Sequence, residues 1–280
     1  MAGIRDLGGK TVVITGGASG IGRAMADAFG AEGAKLVLAD IEASALERAA
    51  EELAKEGLDV LPVPTDVTSA EAVDALADAA RTRFGAVHVV CNNAGVAPIA
   101  PVLETTLKDW RWVIEVNLMG VVHGIQSFGQ SLVDQGEGHI VNTASSGGLI
   151  TVPNFGAYVA TKHAVVGLSE TLFQELAGTG VGVSVLCPGL IATKIFESER
   201  NRPADGGPTA YGEAGAQARA AISSFGASPR DVADHVVAAV KENRLHILPN
   251  EDVKPVVEDR FRRILAGENL ATHAGFADLE

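Results

Sequence analysis

The chain has 280 residues, 47% of them hydrophobic, and a formal net charge of −13. That length and composition suit one large α/β domain with a sizeable buried core. The acidic surplus argues against nucleic acid as a partner, because a phosphate footprint needs a basic face.

The two cysteines, Cys91 and Cys187, end the apolar runs VHVVC and VSVLC and read as small buried hydrophobes. With no paired framework they fit a reducing, cytoplasmic setting. The opening stretch MAGIRDLGGK has no apolar leader core. Trp112 to Val133 is the most apolar long run, yet it holds Glu115, Asn117, His123 and Gln126. It reads as a buried interface helix, so no membrane span is expected. No metal site is expected.

The first motif lies between Lys10 and Asp40. Thr11 to Thr15 (TVVIT) is β-branched and short, as a buried parallel strand should be. A glycine-rich turn follows, through Gly16, Ser19, Gly20, Ile21 and Gly22. Ile21, Met25, Ala28 and Phe29 then repeat at helical spacing. Lys35 to Ala39 is a second strand, and Asp40 ends it. Gly16 permits the sharp turn, Gly20 lets a pyrophosphate approach backbone N–H groups, and Gly22 lets the helix pack closely. The helix N-terminus attracts phosphate, and an acid at the second strand's tip suits ribose hydroxyls.

Strands and helices keep alternating: helix Ala43 to Lys55, strand Leu58 to Val63, helix Ala70 to Phe84, strand Ala86 to Cys91. This predicts a parallel sheet covered on both faces. Asp66 and Val67 follow the third strand; Asp66 also suits a helix cap or turn. Asn92, Asn93, Ala94 and Gly95 follow the fourth, where a cofactor crevice can open. Thr106 to Val133 reads as one long helix with Asn117 inside it, a residue that needs partners if buried.

Gly138 to Ala144 is the fifth strand, ended by Ser145 and Ser146. Tyr158 and Lys162 follow as Y-V-A-T-K, on one helix face. A tyrosine has an ordinary pKa of about 10 and is a poor base near neutrality. A nearby cation stabilises the phenolate and lowers that value. The phenol can then exchange a proton with an alcohol or carbonyl oxygen, while a serine hydroxyl polarises that oxygen. Val181 to Cys187 is the sixth strand, ended by Pro188, Gly189, Ile191 and Thr193 in P-G-x-x-x-T, which also suits a plain turn.

Ile195 to Phe225 is rich in glycine, proline and charge and reads as a lid, reaching to about residue 228. Pro229 to Val240 is a helix with Ser228 as cap. Leu245 to Leu248 is a last strand, and Lys254 to Leu265 a charged amphipathic helix within an extension over about 250–280.

Thr15-Gly16 to Gly20-Ile21-Gly22 forms T-G-x-x-x-G-x-G, not the usual G-x-G-x-x-G. With N-N-A-G at 92–95, the strand-end serine and Y-x-x-x-K, it resembles the short-chain dehydrogenase/reductase family. The resemblance implies one doubly wound Rossmann-type domain over 1–280 with a seven-stranded parallel sheet. It implies Asn117, Ser145, Tyr158 and Lys162 as catalytic residues, with Ser146 the fallback for Ser145. Asn117 would kink its helix and hold a water in a proton relay. Asp66 and Val67 would touch adenine, Asn93, Ala94 and Gly95 the ribose and sheet, and Pro188 to Thr193 the nicotinamide amide. Tyr158 and Lys162 would also touch the cofactor. Asp40, with no Arg or Lys directly after it, points to NAD rather than NADP. The implied reaction interconverts a secondary alcohol and a ketone on a small hydrophobic or aromatic molecule, in a homotetramer or homodimer. The SGGLITVP and ESERNRP stretches resemble bacterial Cα-dehydrogenases of lignin-derived aryl ethers. An NADP(H)-dependent carbonyl or 3-oxoacyl reductase, or a non-catalytic nucleotide-binding regulator, would carry much of the same pattern.

Overall fold

A computed structural model describes residues 3–202, Ala220 and 226–270. Seven parallel strands form one sheet in the order β3-β2-β1-β4-β5-β6-β7. They are β1 (Thr11–Thr15), β2 (Lys35–Asp40), β3 (Val60–Pro64), β4 (Val89–Asn92), β5 (Gly138–Thr143), β6 (Val181–Leu186) and β7 (His246–Ile247). The helices between them are α1 (Gly20–Ala31), α2 (Ala43–Lys55), α3 (Ala70–Phe84), α4 (Leu107–Ile114), α5 (Gly120–Gln135), α6 (Gly156–Glu175), α7 (Pro229–Glu242) and α8 (Val253–Ala266).

Side chains of a strand point alternately to its two faces, and both faces here are covered. Val12 and Ile14 pack with Met25 and Phe29 of α1, Leu46 and Leu53 of α2 and Val236 of α7. Val13, between them, packs with Leu76 of α3 and Phe128 and Leu132 of α5. The continuous apolar runs of β1 and β2 follow from this double burial. Helix starts follow capping chemistry: Ser69 Oγ accepts the Ala72 N–H at 3.1 Å, and Ser228 Oγ accepts that of Arg230 at 3.1 Å, ahead of Pro229.

Five expectations need correction. The helix expected over 106–133 is broken: a π-helical turn, Glu115–Met119, sits between α4 and α5. Asn117 lies in that turn, where its amide is drawn to the main chain of Val96. β3 starts at Val60 and β4 at Val89, both later than the apolar runs. β7 has only two residues, because only Val185 and Leu186 of β6 pair with it. The segment expected to be a loop from 195 begins as a 3₁₀ helix, Ile195–Asn201. The remainder of the lid, 203–219 and 221–225, and the end of the extension, 271–280, lie outside the described residues. Among the described residues no helix is long and apolar enough to cross a membrane.

Candidate active site

The carboxyl ends of β1, β2, β4, β5 and β6 open into one cavity of about 1450 Å³. A cleft there is what a doubly wound sheet produces where its strand order reverses, between β1 and β4. Gly16, Ser19, Gly20 and Ile21 form its floor. Gly16 has φ +64° and a Cβ there would lie 3.0 Å from Ala94 Cα, so the turn tolerates no side chain. A Cβ on Gly22 would lie 2.0 Å from Gly16 O. Gly22 therefore seats α1 against the turn and does not line the cavity. Ser19 is exposed and makes no side-chain cap bond, which leaves the first N–H groups of α1 facing the cleft.

Asp40 stands at the tip of β2. Its carboxylate accepts the N–H groups of Ala18 at 3.1 Å and Glu42 at 3.0 Å. Burial raises its pKa, and these two N–H groups hold it back. Asp66 and Val67 line the same side. Asp66 Oδ1 also accepts from the N–H and hydroxyl of Thr68, so the acid is a turn residue as well.

Asn93 is fastened rather than free. Its Nδ2 donates to Thr15 O at 3.0 Å, and its N–H and that of Ala94 both donate to Thr15 Oγ1, at 2.9 and 3.1 Å. Ala94 and Gly95 line the cleft beside it with almost no side chain. Asn117 is fully buried behind it. Its Oδ1 accepts the Val96 N–H at 2.8 Å and its Nδ2 donates to Val96 O at 2.9 Å. Both ends of the Asn117 amide are thereby engaged by the main chain of Val96.

Ser145, Tyr158 and Lys162 meet at the other end. Ser145 ends β5 and opens a 3₁₀ turn, Ser146–Gly148, its Oγ accepting the Gly147 N–H at 3.1 Å. The Tyr158 hydroxyl lies beside the side chain of Ser145, which acts to lower its pKa. Lys162, one helical turn on, is 3% exposed; its Nζ lies 5.5 Å from the Tyr158 ring centre and donates to Thr143 O at 2.8 Å. Burial pushes the Tyr158 hydroxyl up to about 12, against the Ser145 hydroxyl that lowers it. Burial likewise brings Lys162 down to about 8. This corrects the expectation of a lowered tyrosine: loss of water outweighs the lowering effect of the Ser145 hydroxyl.

Pro188, Gly189, Ile191 and Thr193 line the cavity beyond Ser145. A Cβ on Gly20 would lie 3.1 Å from Thr193 Cγ2, so this turn closes over the glycine turn. Asn250 holds it from behind, its Oδ1 accepting the Gly189 N–H at 2.9 Å. The wall beside Tyr158 is apolar. Phe155 lies edge-on to Tyr158 at 6.3 Å and tilted against Phe196 at 5.5 Å. Val253 and Val256 of α8 complete it. Phe196 belongs to the short helix after β6, which is pinned along its length. Ser198 Oγ accepts the Ala97 N–H at 3.0 Å, and Arg202 forms a buried ion pair with Asp109 of α4.

The local sequence did not mark Glu42, Thr143 or Asn250, and it marked Thr15 and Arg200 only as members of longer motifs. Each acts on a residue far along the chain, and no spacing rule reaches that distance.

The protein-family comparison matches residues 10–204 to the short chain dehydrogenase model. This chain is a short-chain dehydrogenase. The dehydrogenase is 41% identical to a short chain dehydrogenase/reductase from Burkholderia phymatum solved in complex with NAD, with a TM-score of 0.93 over 97% of this chain and 99% of that one. It is 36% identical to the C alpha-dehydrogenase of Sphingobium sp. strain SYK-6, over 94% of this chain and 87% of the relative. It is also 36% identical to the 1-deoxy-11-beta-hydroxypentalenate dehydrogenase of Streptomyces exfoliatus, over 90% and 87%. The enzyme is an oxidoreductase that acts on CH–OH groups and interconverts alcohol and ketone.

Proposed function

We propose that the enzyme oxidises a small hydrophobic or aromatic secondary alcohol with NAD, using Tyr158 as the proton acceptor. The observation that carries this reading is one cavity with Asp40 at one end and the Ser145–Tyr158–Lys162 cluster at the other. A dinucleotide fits the residues between them: an open helix N-terminus for the pyrophosphate, an Ala94–Gly95 wall with almost no side chain and an acid for the ribose. The bound nicotinamide would accept the hydride. The Burkholderia relative in complex with NAD supports the choice of cofactor.

Ser145 would hold the alcohol oxygen beside the Tyr158 hydroxyl. Lys162, fixed by Thr143 O, would set positive charge next to the phenolate as it forms. The apolar wall of Phe155, Phe196 and Val256 would exclude water and receive the organic body of the substrate. The C alpha-dehydrogenase relative supports an aryl-substituted carbinol as the first class to test. Exposed Ala160, Ala164 and Gly167 leave α6 a surface of small residues, which supports assembly through that helix.

A panel of aryl and alkyl secondary alcohols and their ketones, read by NADH absorbance, tests the proposal. NADH formation with an aryl carbinol is expected. Turnover confined to NADP(H) and acyl-chain ketones would overturn it.

A further inference from the structure

The cation nearest the tip of β2 comes from far along the chain. Arg200, on the short helix after β6, places Nη2 at 2.7 Å and Nε at 2.9 Å from one carboxylate oxygen of Glu42. Asn201 donates to the same oxygen at 2.9 Å. Arg200 also donates to the main-chain oxygens of Glu197 at 2.9 Å and Lys194 at 3.4 Å, so its own helix holds it in place. Asp40, Glu42, Lys194 and Arg200 all line the cavity, and Arg200 is the one arginine among its described lining residues. The guanidinium's charge reaches Asp40 as well as Glu42.

An arginine beside the acid that faces the ribose is the group a 2′-phosphate needs, because a guanidinium matches phosphate in geometry and charge. Here Glu42 already occupies it. Building on the dinucleotide reading above, we infer that Glu42 is a specificity-determining residue, which enforces NAD by holding Arg200 away from the 2′ position. Asp40 repels the phosphate directly; Glu42 acts on the side chain that would otherwise attract it. The preference is thus made of two separate elements, one repulsive and one that withholds an attraction.

Titration of NADH and NADPH into the full chain, followed by nucleotide fluorescence, tests this without turnover. Wild type is expected to bind NADH more tightly. Glu42→Gln should improve the affinity for NADPH relative to NADH about tenfold, the size of one new charge-assisted hydrogen bond. Adding Arg200→Met to Glu42→Gln should remove that improvement. If Glu42→Gln fails to fold by circular dichroism, Glu42→Asp, which draws the carboxylate back, should shift the ratio the same way. An unchanged ratio, or an improvement that survives Arg200→Met, overturns the inference while NADH binding by wild type sustains the dinucleotide reading. Wild type that binds neither nucleotide overturns both.

Discussion

Lys162 Nζ donates to Thr143 O at 2.8 Å, and Thr143 Oγ1 donates in turn to Asn93 Oδ1 at 3.3 Å. Asn93 is bound to Thr15, at the start of the glycine turn. One chain of hydrogen bonds therefore runs from α6 through β5 and β4 to β1. The charge at the catalytic end and the turn at the phosphate end are held in one frame.

Thr15→Val should break that frame. It leaves two N–H groups, of Asn93 and Ala94, without their acceptor. A loss of about 1 kcal/mol in stability is expected by urea unfolding, the low end for orphaned donors, because both are only part-buried. NADH affinity should fall with it. Unchanged affinity would mean that the turn keeps its shape without Thr15.

Tyr158→Phe removes one oxygen, the one beside Ser145. Turnover should fall by roughly 10²–10⁴-fold, the usual contribution of a positioned proton acceptor. NADH binding should change little by comparison. A variant that keeps a tenth or more of the rate would rule out this tyrosine as the base.

The pH profile follows from the buried pair. With Tyr158 at about 12 and Lys162 at about 8, the pair loses its first proton at the lower value. The singly protonated pair includes the form with phenolate beside ammonium, which accepts a proton from the alcohol. Alcohol oxidation should therefore rise with pH through about 8. Ketone reduction, the reverse step, starts from the doubly protonated pair, Tyr158 hydroxyl beside Lys162 ammonium, and should fall over the same window. Measuring kcat/KM against pH in both directions checks the sign, and parallel profiles would refute it.

Asp109→Ala should destabilise the enzyme by about 3–5 kcal/mol, because the side chains of Asp109 and Arg202 are only 10% and 9% exposed. The acid also accepts from Thr106 Oγ1 at 2.7 Å, so the start of α4 loosens too. Chemical denaturation reads the loss. A change under about 1 kcal/mol would place the pair among those that water screens.

The glycine turn, both strands beside it and the helix bearing Tyr158 and Lys162 were legible because each depends on neighbours in sequence. Gly16 is needed where the turn is, and Tyr158 reaches Lys162 across one helical turn. The π turn at Asn117 was not legible. Its cause is the main chain of Val96, 21 residues earlier. The approach of Arg200 to Glu42 spans 158 residues and that of Asn250 to Gly189 spans 61. The raised Tyr158 value depends on how much water the fold removes, which no motif records.

The strand order has a consequence for how the molecule acquires its site. Thr11 meets His88 across 77 residues, Asn92 meets Asn142 across 50, and Ser184 meets Arg244 across 60. Such pairings close long loops before contacts reward them, which makes for slow folding. Chains with helices formed but β4 not yet seated between β1 and β5 have neither the Thr15 bond to Asn93 nor the Thr143 bond to Asn93. Nucleotide affinity should therefore return late in refolding, after most of the helical signal.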